Sequence, residues 1–224
     1  MKTAKKKKKT VIDLERLSAN IFYPSESDAK GRNGMENIFP VAIGIGLAAA
    51  CGFRVFVPLL ILNLAALSGH LTLPADFAWI GGTYATMAFA TATVLEIIGY
   101  YIPWLDHVLD TIATPAAVIA GTVTTAAVIT DITPFLKWTM ALIAGGGIAG
   151  LVQASTVAVR AKSTIATGGT ANPIFSTMEL AGSIIVALLA VFVPILVLVL
   201  VGIFLIWIVR KILRRLFKRA NSQP

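Results

Sequence analysis

The chain has 224 residues, of which 57% are apolar and only 13% are charged, and its mean hydropathy is +0.82. Soluble domains carry about 25% charged residues, so this composition excludes a soluble globular enzyme, a disordered chain and a coiled coil. The net charge of +8 does not indicate nucleic-acid binding, because nine of the 19 basic residues precede residue 33 and six lie between Arg210 and Arg219. Basic ends around an apolar middle are typical of a protein with several membrane spans.

The first 37 residues are polar and are predicted to form a cytoplasmic tail and linker. Lys5–Lys9 is a run of five lysines, which is either solvated or in contact with anionic lipid. The segment from Ser25 to Asn37 is rich in Ser, Gly and Asn, as linkers are. No cleavable signal peptide is expected, because no short apolar segment with a cleavage site follows the lysines.

Residues 38–209 are predicted to form the transmembrane domain. A helix needs about 20 mostly apolar residues to cross a bilayer. Segments of this kind follow one another from Pro40 onward. The predicted spans cover residues 40–67, 78–99, 115–130 with a lead-in from 103, 134–160, 173–192 and 194–213.

The division of the last apolar run, residues 173–209, decides the number of spans. A helix of this length is too long for one crossing. Pro194 lies near the middle of the run and is tolerated in the first turn of a new helix, which predicts a break there. Six spans place both termini on one side, with the basic tail of residues 210–224 in the cytoplasm. The predicted fold is an all-α, polytopic transmembrane helical bundle with Pro-broken helices.

A few ionisable residues lie within the predicted spans. Arg54 is near the middle of the first span, where an arginine costs about 2.5–3.5 kcal/mol on insertion scales, so it must face the bundle interior. Glu96 and Glu179 are the candidate partners, and Asn63 lies further along the same span. Pro58 predicts a kink near Arg54. These residues predict either an interior polar cavity or a buried ion pair that fixes the helix register.

Asp106, His107 and Asp110 form a D-H-x-x-D cluster. The two aspartates are four residues apart and share one face of a helix. Pro103 is predicted to begin this helix and Pro115 to end it, which makes it a short helix at the inner interface. The two aspartates and the histidine either bind a divalent cation, with a third or fourth ligand from Glu96 or Glu179, or relay protons. The alternative is an amphipathic helix with its polar face in water.

The segment from Arg160 to Pro173 is predicted to be an inner loop. Arg160 and Lys162 precede small hydroxyl residues and glycines, and Asn172 precedes the proline that starts the next helix. Free N–H groups at a helix start, beside two cations, favour a phosphate or carboxylate. The alternatives are a salt bridge to the two aspartates, or a positive-inside loop in which the glycines serve packing.

Two inner segments share the sequence Thr-Ile-Ala-Thr, at residues 111–114 and 164–167. This shared sequence arises either from a duplicated hairpin, as in the parallel repeats of transporters, or from chance. Glycines in the first and fourth spans include Gly146 and Gly150, whose spacing permits close helix packing.

Three stretches resemble one family. They are GIGLAAACGFRVFVPLL at residues 44–60, LEIIGYYIPWLDHVLDTIATP at 95–115 and STIATGGTANP at 163–173, and Glu179 follows them. They are similar to the bacterial membrane-protein family called domain of unknown function four-one-two-six. The resemblance covers about residues 40–200. It implies a compact bacterial multi-span protein and specifies no reaction. It includes Arg54, Glu96, Asp106, His107, Asp110, Asn172 and Glu179.

The leading functional hypothesis is a small transporter or channel-like protein of the bacterial inner membrane. Its interior site for a small ion or anionic solute would use Arg54, Asn63, Glu96, Asp106, His107, Asp110, Arg160, Lys162, Asn172 and Glu179. A homodimer in membrane lipid is expected, because one protomer is small for alternating access. No cofactor and no nucleic acid is expected.

Two other functional classes remain open. One is a non-catalytic assembly subunit whose charges only lock helices together. The other is a lipid-phosphate enzyme at the inner face, with Mg²⁺ on Asp106 and Asp110. The sequence contains no catalytic triad in its usual order and no HExxH or CxxC motif, so we do not expect an enzyme.

Overall fold

The computed structural model describes residues 26–102, 105–130 and 132–220. The side chains of residues 26–37, 107, 212 and 215–220 are outside that description, as are the predicted lysine contact at Lys5–Lys9 and the predicted helix start at Pro103. The described residues from Phe39 onward form a compact unit, which is separate from the unit that precedes it.

The described ranges are helical and contain no strand. In chain order the helices are α1 (Glu26–Cys51), α2 (Phe56–Leu67), α3 (Thr83–Tyr100), α4 (Leu105–Val128), α5 (Pro134–Met140), α6 (Gly147–Thr167), α7 (Asn172–Phe192) and α8 (Pro194–Ala220). A short 3-10 helix, Ala75–Gly81, precedes α3, and a π-helical turn, Ala141–Gly146, joins α5 to α6. α4 packs against the π-helical turn and α6, α2 packs against α3 and α7, and α7 packs against α8.

Within the described ranges, four helical segments are long and apolar enough to cross a membrane. They are Val108–Val128, Pro134–Thr167, Asn172–Phe192 and Pro194–Lys211. The chain is therefore a helical membrane protein. The predicted break before Pro194 is confirmed, because α7 ends at Phe192 and α8 begins at Pro194. A total of six spans stays a prediction.

The predicted first span, residues 40–67, is not one helix. α1 ends at Cys51 and α2 begins at Phe56, so Arg54 lies in the break between them. Pro58 is the third residue of α2. Its missing N–H would have no partner within the helix at that position. The proline thus favours a helix start at Phe56, and the result is a full break rather than the predicted kink.

Pro115 does not end a short interfacial helix, so that prediction is wrong. α4 runs without interruption from Leu105 to Val128 with Pro115 inside it. Prolines are tolerated within membrane helices, because neighbouring helices and local adjustments compensate for the lost hydrogen bond. Asp106, Asp110 and the following span consequently lie on one continuous helix.

The predicted inner loop is shorter than expected. α6 extends to Thr167, so Arg160 and Lys162 are helical residues rather than loop residues. Gly168 ends the helix with a φ of +64°, a conformation that glycine adopts without steric cost. The prediction that the loop begins at Arg160 is therefore wrong, whereas the predicted salt bridge from this segment to the aspartates is present between Arg160 and Asp110.

Glycines allow α4 to approach the π-helical turn closely. A Cβ atom at Gly121 would lie 2.5 Å from the Cβ of Ala149 and 2.9 Å from the carbonyl oxygen of Gly145. A backbone carbonyl oxygen cannot avoid this Cβ atom by a change of side-chain rotamer, so the helix backbone itself would have to shift. Small residues at such contacts are common where membrane helices pack tightly.

Replacing Gly121 with alanine is expected to destabilise the bundle by about 1–3 kcal/mol, because overpacking forces the backbones apart. Gly147→Ala is the matched control, since nothing lies within 4 Å of a Cβ at that helical position. Thermal unfolding in detergent compares the two variants. An equal unfolding temperature for both would contradict the close contact.

Candidate functional site

The break between α1 and α2 is stabilised by groups from two other helices. The N–H groups of Val55 and Phe56 donate to the two carboxylate oxygens of Glu96, at 2.8 and 3.1 Å. Ser183 donates to the carbonyl oxygen of Ala50 at 3.1 Å. Unpaired backbone groups are costly in a membrane, so these side chains make the break tolerable.

The Arg54 side chain extends from this break to α7. Its Nη2 atom donates to the carbonyl oxygen of Ser176 at 2.9 Å and to the hydroxyl of Ser176 at 2.5 Å. The same nitrogen lies 3.8 Å from a carboxylate oxygen of Glu179. The guanidinium also stacks over the ring of Tyr100, 3.7 Å from its centroid. Arg54 is only 2% exposed, and these contacts replace part of its hydration, because its Nε and Nη1 atoms have no hydrogen-bond partner among the described residues.

Arg160 shares two of these partners. Its Nη2 atom donates to the carboxylate oxygen of Glu179 that also faces Arg54. Its Nη1 atom lies 3.5 Å from Asp110, and its guanidinium carbon lies 4.6 Å from the centroid of the Tyr100 ring. Glu179 and Tyr100 therefore hold two guanidinium groups close together, although like charges repel.

Asp106 extends the cluster toward the start of α7. The Asn172 side-chain amide donates to Asp106 at 2.9 Å, and the Thr164 hydroxyl lies 3.2 Å from the Asn172 carbonyl oxygen. Asp106 and Asn172 are both buried. Their contact ties the beginning of α4 to the beginning of α7.

The polar side chains that surround the helix break and the start of α7 form the polar network. Its members are Arg54, Glu96, Tyr100, Asp106, Asp110, Arg160, Asn172, Ser176 and Glu179. It contains two guanidinium and four carboxyl groups, so full ionisation leaves two excess negative charges. Each charge is stable in a low-dielectric interior only while it is compensated.

Two cavities reach the polar network. Asp110 and Arg160 line a cleft of about 530 Å³ between α4 and α6. Glu96 and Tyr100 line a second cavity of about 320 Å³ bounded by α2, α3 and α4. The network thus contributes charged groups to spaces that can hold a small molecule.

The comparison with known families covers this whole region. A model of the family described as "Domain of unknown function (DUF4126)" matches residues 41–214. The chain belongs to this family. The matched range of this DUF4126 protein includes every member of the polar network and leaves out Lys5–Lys9. No curated protein and no solved structure matches the chain.

Two predicted site residues of the DUF4126 protein lie apart from the polar network. Asn63 is fully buried, and its amide donates to the carbonyl oxygens of Ile80 and Gly82, at 2.5 and 3.2 Å. Its own carbonyl accepts from Thr86. Asn63 therefore anchors the start of α3. Lys162 is exposed on α6.

The two aspartates of the D-H-x-x-D cluster contact different residues. Asp106 contacts Asn172, whereas Asp110 pairs with Arg160. The side chain of His107 is outside the part of the DUF4126 protein that the structure describes. Among the described residues, no three His, Cys, Asp or Glu side chains are grouped so that they could hold a metal ion. A metal on Asp106 and Asp110 stays a prediction without structural support.

Sequence reasoning missed Tyr100 and Ser176. Tyr100 follows Glu96 by four residues and Ser176 precedes Glu179 by three, so each shares a helix face with a predicted site residue. A search for polar or aromatic residues at these spacings would have found both.

Proposed function

We propose that this DUF4126 protein is a small transporter of the bacterial inner membrane, and that the polar network is its interior site for a small ion or anionic solute. The observation that carries the proposal is a largely buried network of two cations and four carboxyl groups at a helix break, in contact with two cavities. Broken helices and intramembrane charges mark ion and solute sites in membrane proteins.

The proposal includes a topology. Six crossings, with α1 and α2 together forming the first and α3 the second, place both basic termini in the cytoplasm. A homodimer supplies the size that alternating access needs. The protein performs no covalent chemistry in this proposal.

A flux assay tests the proposed function. Proteoliposomes are given radiolabelled inorganic phosphate or acetate, and a trapped dye reports the internal pH. Arg54→Leu and Glu179→Gln are each expected to reduce flux at least about tenfold, because each removes a charge that the network compensates. Arg210→Gln, an exposed cation on α8, is the matched control and retains flux. The proposal fails if the unmodified protein moves none of the probes, or if both variants transport at the unmodified rate.

An assembly subunit is the second candidate. It is favoured by the two hydrogen bonds from Arg54 to Ser176, which fasten the helix break to α7. In that role Arg54→Leu would release a partner protein that otherwise co-purifies stably, and the isolated protein would show no flux.

A further inference from the structure

The two Thr-Ile-Ala-Thr segments line one cleft from opposite sides. Thr111 and Thr114 of α4, and Thr164 of α6, belong to the lining of the cleft of about 530 Å³. The repeated sequence therefore places hydroxyl groups on both walls of a single space. Hydroxyls rotate and can donate to an incoming oxygen or accept from a neighbour.

Arg160 lies in the same lining with part of its hydrogen-bonding capacity unused. It is 2% exposed, and among the described residues its Nε and Nη1 atoms have no hydrogen-bond partner. Its Nη1 atom faces Asp110 at 3.5 Å, which is an ion pair without a hydrogen bond. A guanidinium normally binds an oxyanion through two short, parallel N–H bonds. The bond with Asp110 is thus weaker than one that an oxyanion could form.

We propose that this cleft is an oxyanion site, in which a carboxylate or phosphate group replaces Asp110 on Arg160 and contacts the threonine hydroxyls of both walls. The use of this cleft as a substrate site rests on the proposed transport function. Oxyanion binding itself does not, because binding is measured separately from flux. Glu179 keeps its own hydrogen bond to Arg160, so the arginine stays in position when Asp110 leaves.

The anion and the Asp110 carboxylate compete for the same guanidinium group, because Nη1 of Arg160 lies 3.5 Å from Asp110. Two negative charges this close repel each other, so removal of the Asp110 charge favours anion binding.

Calorimetric titration of the full chain in detergent tests the site with inorganic phosphate and acetate as probes. Asp110→Asn carries no negative charge at this position, so it is expected to bind the probe about tenfold more tightly. The double variant Thr111→Val, Thr164→Val keeps side-chain volume and is expected to lose at least about tenfold in affinity. Thr156→Val on α6 is the matched control, since the Thr156 hydroxyl donates to the carbonyl oxygen of Gln153 on its own helix.

The possible outcomes distinguish a lipid headgroup from a free anion, and they test the oxyanion site and the transport function separately. Binding of phosphatidylglycerol in nanodiscs, with no binding of free phosphate or acetate, assigns the site to a lipid headgroup and keeps the oxyanion chemistry. Unchanged affinity in Asp110→Asn, or an equal loss in Thr156→Val and the cleft variant, overturns the site. Flux without oxyanion binding contradicts only this inference, whereas oxyanion binding without flux contradicts only the transport function.

Discussion

Replacing Glu179 with leucine is expected to destabilise the DUF4126 protein by about 3–5 kcal/mol, because it removes the carboxylate that two buried guanidinium groups share. One oxygen of Glu179 faces both Arg54 and Arg160, whose guanidinium groups stack over the same Tyr100 ring. Without the carboxylate, two cations remain close together in a low-dielectric interior. Thermal and denaturant unfolding in detergent measures the loss.

Glu179→Gln is the matched variant for this prediction. Glutamine keeps an oxygen that accepts a hydrogen bond from Arg160 but removes the charge. We expect it to cost about 1–3 kcal/mol, which is less than leucine costs. If both variants unfold within about 0.5 kcal/mol of the unmodified protein, the shared carboxylate does not hold the two arginines.

Replacing Glu96 with leucine is expected to open the break between α1 and α2 at a cost of about 3 kcal/mol, because two buried N–H groups lose a charged acceptor. Those groups belong to Val55 and Phe56. Glutamine at the same position retains one oxygen and is expected to cost about half as much. Hydrogen exchange of a peptide over residues 52–58 gives the local measurement, and exchange there should become faster in Glu96→Leu.

Glu179→Leu is the control for this local effect. It lowers global stability but leaves the carboxylate of Glu96 in place, so it should not selectively expose residues 52–58 to exchange. The end of α1, at Ala48 to Cys51, should remain protected in both variants. Equal exchange of the 52–58 peptide in Glu96→Leu and the unmodified protein would show that Glu96 does not cap α2.

The class of protein and several of its interior charged residues follow from the sequence. Hydropathy adds along the chain, so apolar segments of sufficient length indicate membrane helices without reference to any neighbour. Pro194 acts on its own helix, and the predicted break there is present. The sequence also predicts that Arg54 and Glu179 face the interior, because a charged side chain exposed to lipid at either position would be costly in free energy.

The tertiary structure alone decided which of these residues meet. Arg54 and Ser176 are 122 residues apart, and no local periodicity connects them. Glu96 was predicted as an ion-pair partner but binds the backbone of the break, because the N–H groups at the start of α2 need acceptors that only a neighbouring helix can supply. Pro115 lies within an unbroken α4 for a similar reason, since packing in the bundle outweighs a local preference. The sequence therefore indicated the charged residues that are costly in lipid, and helix packing determined which of them are buried together and at what distances.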